Sequence, residues 1–365
     1  MGFDSFLGNA NAVQSVREML ASRRVPGSLL FAGPDGVGKK TLALMLAKAL
    51  NCERQSEDFC GECPACRKAE EMLAATREDL TRRRETKDVQ RRVEGLVYFD
   101  LQLIEPLTRY ILTEQIRQLR SVANTRPFEF RRRIFVIDDA QAIHWQAVDL
   151  LLKILEEPPE TTTLILICPN AYELRPTIRS RCRRIAFRPV DDALLSSLLA
   201  KDARIPAAQR DLVARVAAGS IARAKAFDAE EFTRRRRPWL DFLDAITTES
   251  RGDAAPDWKR LFESTKALTE DRNQFEDTLK TGYGLLRDLL QVSVYGPDAK
   301  VANIDLLSRL KAWSDKLGVK KIAKLKDGLD QAYRLQTRNV NQQLGLDATV
   351  VDLLDTPALR TSSIR

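Results

Sequence analysis

Two groups of residues in this 365-residue chain have the types and spacing to do chemistry. The first is GPDGVGKKT, residues 33–41. Gly33, Gly36 and Gly38 allow a tight loop whose N–H groups point inward. Lys39 adds a cation where a helix begins, so loop, helix dipole and ammonium together favour phosphate. A complete loop of this kind continues with a Ser or Thr hydroxyl that ligates Mg²⁺. Here the position holds Lys40, and Thr41 comes one residue late. Lys39 and Lys40 can both meet phosphate without a metal, so the loop is expected to hold ATP, ADP or phosphate, or to be purely structural.

The second group is Cys52, Cys60, Cys63 and Cys66, spaced C-x7-C-x2-C-x2-C. A C-x2-C pair supplies two thiolates from one tight turn, and four thiolates complete a tetrahedral Zn²⁺ site. All four positions are filled by protein, so the expected metal is structural. Cys168 and Cys182 lie in apolar or basic runs and read as packing residues. A third candidate is Asp138-Asp139, which closes the apolar run IFVI. An acid at a strand end can hold Mg²⁺ beside a phosphate loop. A second acid that polarises water is usually Glu, and Asp139 is one methylene shorter.

The elements that must position these residues follow from periodicity. SLLFAG (28–33) is a buried strand that feeds the loop, and KTLALMLAKALNC is the helix after it. LVYFDLQLIEP, RRRIFVIDDA, TTTLILICPN and RRIAFRP read as four more strands, with IFVIDD expected beside the loop strand. Helices fall between them. One starts at TEQIRQLRSVA with Thr113 as its cap, and one, AVDLLLKILEE, is stopped by Pro158 and Pro159. The charged stretch RKAEEMLAATREDLTRRRETKDVQRRVEG reads as a helix solvated on most faces. Strands separated by helical crossovers imply an α/β domain with a parallel sheet covered on both faces. From residue 190 onward only helical spacing remains. The expected domains are 1–189 (phosphate loop and sheet, with the cysteine module at 52–66), 190–228 (small and helical) and 229–365 (all-helical).

Composition bounds the function. Hydrophobic residues make up 44% and charged residues 30%, as in a soluble globular protein. There is no 18-residue apolar run and the first residues do not form a signal peptide, so a cytoplasmic location with no membrane contact is expected. The net charge of +8 is compatible with DNA nearby and equally with ordinary surface charge. TRRRE (81–85) and RRRRP (234–238) read as solvated helix ends, with contact to phosphate as the alternative.

Several of these strings resemble one family in order and content. They are GPDGVGKKTLALMLAKALNC with the cysteine module after it, RPFEFRRRIFVIDDAQAI, LLLKILEEPPETT, LRPTIRSRCRRIAF and RNVNQQLGLD. Together they resemble bacterial clamp-loader subunits of the AAA+ class, and most of all the delta-prime branch of the DNA polymerase III loaders. The resemblance implies an AAA+ P-loop domain with an inserted zinc module, a small helical lid and a helical C-terminal collar. It implies a hetero-oligomeric ring with gamma/tau and delta subunits that loads a sliding clamp on primed DNA. The arginine of the SRC string, Arg181, would then reach a neighbour's ATP as an arginine finger in trans. By residue type alone Arg181 belongs to a basic run with Arg179, Arg183 and Arg184. The family's motor subunits carry Thr, Asp-Glu, a hydroxyl residue and a GSxR arginine. This chain has Lys40, Asp138-Asp139, CPN (168–170) and Arg223 one residue late, about 100° around a helix. That pattern implies a stator that does not hydrolyse ATP. An active motor that recruits Thr41 to Mg²⁺, and a stand-alone zinc-containing DNA-binding protein, are the other readings.

Overall fold

The structure, a computed structural model, describes residues 2–54, 57–249, 256–270, 275–336 and 341–354. The RNV of RNVNQQLGLD and residues 355–365 of the expected C-terminal domain lie outside them. In chain order the regular elements begin with α1 (Ala10–Ala21), β1 (Ser28–Ala32), α2 (Lys39–Asn51), α3 (Pro64–Glu85) and β2 (Leu101–Ile104). Then come α4 (Thr113–Ala123), β3 (Arg133–Ile137), α5 (Val148–Glu156), β4 (Thr162–Cys168), α6 (Pro176–Arg179) and β5 (Arg183–Ala186). The remainder is helical: α7 (Asp192–Ala200), α8 (Arg210–Ala217), α9 (Ile221–Lys225), α10 (Ala229–Glu249), α11 (Trp258–Thr269), α12 (Phe275–Tyr295), α13 (Leu307–Gln336) and α14 (Gln342–Leu354).

The chain forms two compact units, 1–198 with 219–223, and 199–218 with 224–365. In the first, five strands make one sheet in the order β2-β3-β4-β1-β5. Every pairing is parallel. Side-chain alternation divides β1 to β4 between two cores. Leu29, Phe31, Ile134, Val136, Ile165 and Ile167 face α1, α2 and α3. Leu30, Phe135, Ile137, Leu164, Leu166 and Ile104 face α4 and α5. Continuous apolar strands are therefore the expected signature of a sheet covered on both faces. β5 is an edge strand, and its two arginines face solvent, which blunts an open edge.

Three expectations need correction. The acidic strand β3 is not beside the loop strand β1, because β4 pairs with both and lies between them. The strand read in LVYFDLQLIEP is only Leu101–Ile104. The α4 cap is Leu112 rather than Thr113, since the Gln115 Oε1 accepts a hydrogen bond from the Leu112 N–H at 2.9 Å. The charged helix α3 is solvated over most of its surface, as expected, but one stripe turns inward. It buries Cys66, Ala69, Met72, Leu73, Thr76, Leu80 and Arg83 at helical spacing.

The two arginine strings also turn partly inward. Arg83 is 7% exposed and donates to the carbonyls of Arg92, Glu94 and Gly95 at 2.9, 2.8 and 3.1 Å. These bonds fold the segment after α3 back onto it. In the second unit Arg236 is buried and donates to Asn303 Oδ1 and Asp305 Oδ1, at 3.0 and 2.9 Å. That unit is built on Trp239, Phe242, Leu243, Phe275, Leu285 and Trp313 from α10, α12 and α13. The backbone of α13 breaks at Gly318, which has φ +64°. Among the described residues no helix is long and apolar enough to cross a membrane.

Candidate functional site

All the loop and strand-end residues singled out above lie at the carboxyl ends of the parallel strands, where α/β sheets bind ligands. β1 leads into the glycine loop and α2 starts at Lys39. Gly36 and Gly38 have φ of +76° and +98°, a region that side chains make costly. A Cβ at Gly36 would stand 2.0 Å from Ser220 Oγ, so the loop also needs glycine for the close approach of the GSIAR segment. Lys39 is 7% exposed. Its ammonium donates to the carbonyls of Gly33 and Pro34, the latter at 2.8 Å, and lies 3.4 Å from Asp35 Oδ1. The lysine of the phosphate motif thus closes the loop on itself.

The Lys40 ammonium, which by type could meet phosphate, lies against carboxylates of the chain itself. Ile104 and Ile137 are register partners on β2 and β3. The next residues, Glu105 and Asp138, therefore bring two carboxylates side by side at the sheet edge. Two such charges need a cation between them. Lys40 supplies it, with hydrogen-bonded contact to Glu105 and an ion pair to Asp138 Oδ2 at 3.2 Å. Arg84 of α3 takes the other Glu105 oxygen at 2.7 Å. Burial pushes the Glu105 carboxyl up, but Lys40 and Arg84 outweigh it and hold the group below its ordinary value. Burial pulls the Lys40 ammonium down, and the two carboxylates more than reverse this. Asp138 moves the other way, because burial raises it by more than Lys40 lowers it.

This arrangement does not fit Mg²⁺. An ammonium lies against the acid that would hold the metal, and the hydroxyl position is the lysine itself. Thr41 is exposed. Asp139 is exposed with φ +54°, and its carboxylate accepts a hydrogen bond from the Gln141 amide at 3.1 Å. At the end of β4 Cys168 is buried, and burial pushes its thiol up to about 11, so it is a neutral packing group. Cys182 is half-buried against the same core. Asn170 caps the following turn through Tyr172 N–H at 3.0 Å. Arg223 is exposed on α9, and its N–H donates to Ser220 Oγ at 3.2 Å.

The four cysteines converge. Their sulfurs all lie within 4.8 Å of one another. The Cys52 sulfur is 3.7 Å from that of Cys60 and 4.0 Å from that of Cys63. Zn–S bonds of about 2.3 Å in a tetrahedron set S···S edges of about 3.8 Å, so the donor set fits zinc. Backbone N–H groups of Cys60, Glu62 and Cys63 point at sulfurs at 3.4, 3.4 and 3.3 Å. Such donors stabilise thiolate. The module is tied to the N-terminal segment, where the Phe3 N–H donates to Asp58 at 3.0 Å and the Phe3 and Phe59 rings meet edge to face at 5.9 Å.

Arg181 follows α6 and precedes β5. One Nη donates to Thr177 O at 2.9 Å and the other to Glu156 Oε1 at 2.6 Å. The sequence reading missed Glu105, Arg84 and Glu156. Glu105 carries a usable signal, an acid directly after a buried strand. Arg84 carries none, being one charge among many on a helix, and Glu156 lies in the LEEPP string with nothing in its type that names Arg181 as partner.

The family profile described as "DNA polymerase III, delta subunit" matches residues 8–191, half of the chain. Subunit tau of DNA polymerase III from Bacillus subtilis is 26% identical over 189 residues, 52% of this chain and 29% of the relative. The tau subunit from Escherichia coli is 28% identical over 190 residues, 52% of this chain and 26% of the relative. The chain thus spans under a third of the length of these curated relatives. Among solved structures, a gamma subunit-related protein of DNA polymerase III from Thermotoga maritima aligns over 94% of this chain and 98% of its own, with 14% identity and TM-score 0.44. The Bacillus subtilis clamp loader delta protein aligns over 94% and 99%, with 11% identity and TM-score 0.34. The parallel sheet with its glycine loop before α2 defines a P-loop α/β module. The chain belongs to the DNA polymerase III delta-subunit family.

Proposed function

We propose that this chain is a delta-prime-type, non-hydrolysing subunit of a cytoplasmic bacterial clamp loader. In this reading residues 1–189 are the AAA+ domain, 190–228 the lid and 229–365 the collar. It works in a ring with gamma/tau and delta subunits that places a sliding clamp on primed DNA. The zinc held by Cys52, Cys60, Cys63 and Cys66 is structural. Any nucleotide held by Gly33, Gly36, Gly38, Lys39 and Thr41 is bound rather than turned over. Arg181 contributes to a neighbour's site, where a finger arginine stabilises charge on the transferred phosphoryl group and is worth about 10³–10⁵ in rate.

The observation that carries this reading is the Lys40 ammonium against Asp138 and Glu105. A motor needs a divalent ion at that place, and a tethered cation cannot exchange with substrate. The names of the curated relatives favour a second reading, a gamma/tau-type ATPase motor that uses Thr41. Steady-state phosphate release separates the two. The purified chain alone is expected to show negligible turnover, and with a gamma/tau partner the turnover belongs to the partner. A motor-like rate from the homogeneous chain selects the second reading.

A further inference from the structure

Two strings far apart in the chain meet at one guanidinium. Glu156 is the last residue of α5, in LEEPP, and Arg181 lies 25 residues later, in SRC. Both backbones are anchored in the same core, through Ile154 and Leu155 on one side and Leu174 and Ile178 on the other. The Arg181 side chain keeps 34% of its surface exposed while bonded to Glu156 Oε1 and Thr177 O. An arginine carries five N–H donors in a rigid fork. Two are committed to these bonds, and Ser180 Oγ at 3.4 Å takes part of a third. The rest of the fork remains open to an incoming anion.

We propose that Glu156 is a positioning residue, which holds Arg181 pre-oriented toward the phosphate of a neighbouring subunit. This rests on the finger reading of Arg181 given above. An arginine on a long free stem samples many rotamers, and ordering it during the reaction costs entropy. A backbone carbonyl on one Nη and a carboxylate on the other fix the guanidinium plane in advance, which is how effective catalytic geometry is kept. Pro158 and Pro159 end α5 just beyond Glu156, so the carboxylate sits at a fixed helix end. The acceptor matters more than the charge. A glutamine carbonyl in the same place accepts the same hydrogen bond, whereas alanine offers none.

The test uses the assembled loader, reconstituted from this chain with gamma/tau and delta-type partners. ATP hydrolysis is followed on primed DNA with wild-type chain, Glu156→Ala, Glu156→Gln and Arg181→Ala. Assembly and thermal unfolding are checked first for each variant. The expected result for Glu156→Ala is a fall in kcat on the order of threefold to tenfold, with KM for ATP unchanged. Glu156→Gln keeps most of the rate, and Arg181→Ala is at least as impaired as Glu156→Ala. An impaired Arg181→Ala beside a normal or faster Glu156→Ala overturns the positioning role and leaves the finger standing. A Glu156→Gln as slow as Glu156→Ala also overturns it. An unimpaired Arg181→Ala overturns the finger reading itself, and this inference with it.

Discussion

The Lys40 ammonium lies 3.2 Å from Asp138 Oδ2, so the first turn of the loop helix is tied by charge to the end of a strand that is not its neighbour. β4 stands between the two, and Lys40 reaches past its end. The contact with Glu105 extends the link to β2, and Arg84 extends it to α3. One cation thus joins four elements at the point where a divalent metal would sit in a hydrolytic site.

Lys40→Thr alone is expected to leave ATP turnover negligible. The substitution restores a hydroxyl, yet Asp139 stays short and exposed, and Cys168 still ends β4 where a hydroxyl residue belongs. Phosphate release by the purified variant, at saturating Mg²⁺-ATP, measures this. Turnover at a motor-like rate would show that Lys40 was the only block.

Removal of the Lys40–Glu105–Arg84 pairing should be visible in the acid limb of stability. Glu105 has a folded value below its ordinary one. Its contribution is therefore fully present above the ordinary carboxylate range and is lost as pH falls through the folded value. Wild type should be more stable than Glu105→Gln at pH 7, and the gap should close on acidification. Asp138 is raised by burial and works in the opposite direction, so the difference between the two proteins is the proper readout. A gap that stays constant from neutral to acid pH refutes the assignment.

Protein purified without added zinc should carry about one zinc per chain, as a four-thiolate site requires. Cys66→Ser should lose most of that metal and unfold about 5–10 °C earlier, since structural zinc binding is folding free energy. Elemental analysis and a thermal melt decide it. A fully folded, metal-free wild type would refute the zinc site.

Among the described residues Asp100 and Arg133 form the most deeply buried ion pair, with a two-bond link at 3.0 and 2.9 Å through Nε and Nη2. The Asp100 carboxylate also accepts from the N–H groups of Glu129 and Phe130, which fixes the approach to β3. Asp100→Ala strands a buried guanidinium and should cost about 3–5 kcal/mol. Combining it with Arg133→Met should recover part of the loss. Urea unfolding measures both, and a single-variant cost below about 1 kcal/mol contradicts the burial argument.

Gly282 in α12 marks a comparable constraint in the second unit. A Cβ there would lie 2.3 Å from the buried Trp239 ring, whose N–H is held by Thr278 O at 2.7 Å. Gly282→Ala should therefore destabilise the unit by about 1–3 kcal/mol despite the better helix propensity of alanine. Stabilisation in a denaturant melt would be the contrary result.

Local chemistry was legible in the chain itself. Glycine spacing and the apolar run before it specify a strand, a phosphate-type loop and a helix, because backbone geometry and capping act within a few residues. The C-x7-C-x2-C-x2-C spacing brings its sulfurs within 4.8 Å of one another, three of its ligands being supplied from within seven residues. Continuous apolar strands required a sheet covered on both faces. What sequence could not decide is which distant groups share an edge of that sheet. The insertion of β4 between β1 and β3, the meeting of Lys40 with Glu105 across 65 residues and of Arg181 with Glu156 across 25 are of this kind. So is the inward turn of Arg83, in a string that reads as solvated. A long charged side chain takes its direction from whichever carbonyl or carboxylate the packed core places within reach, and that core is assembled from contacts distant in sequence, which periodicity does not record.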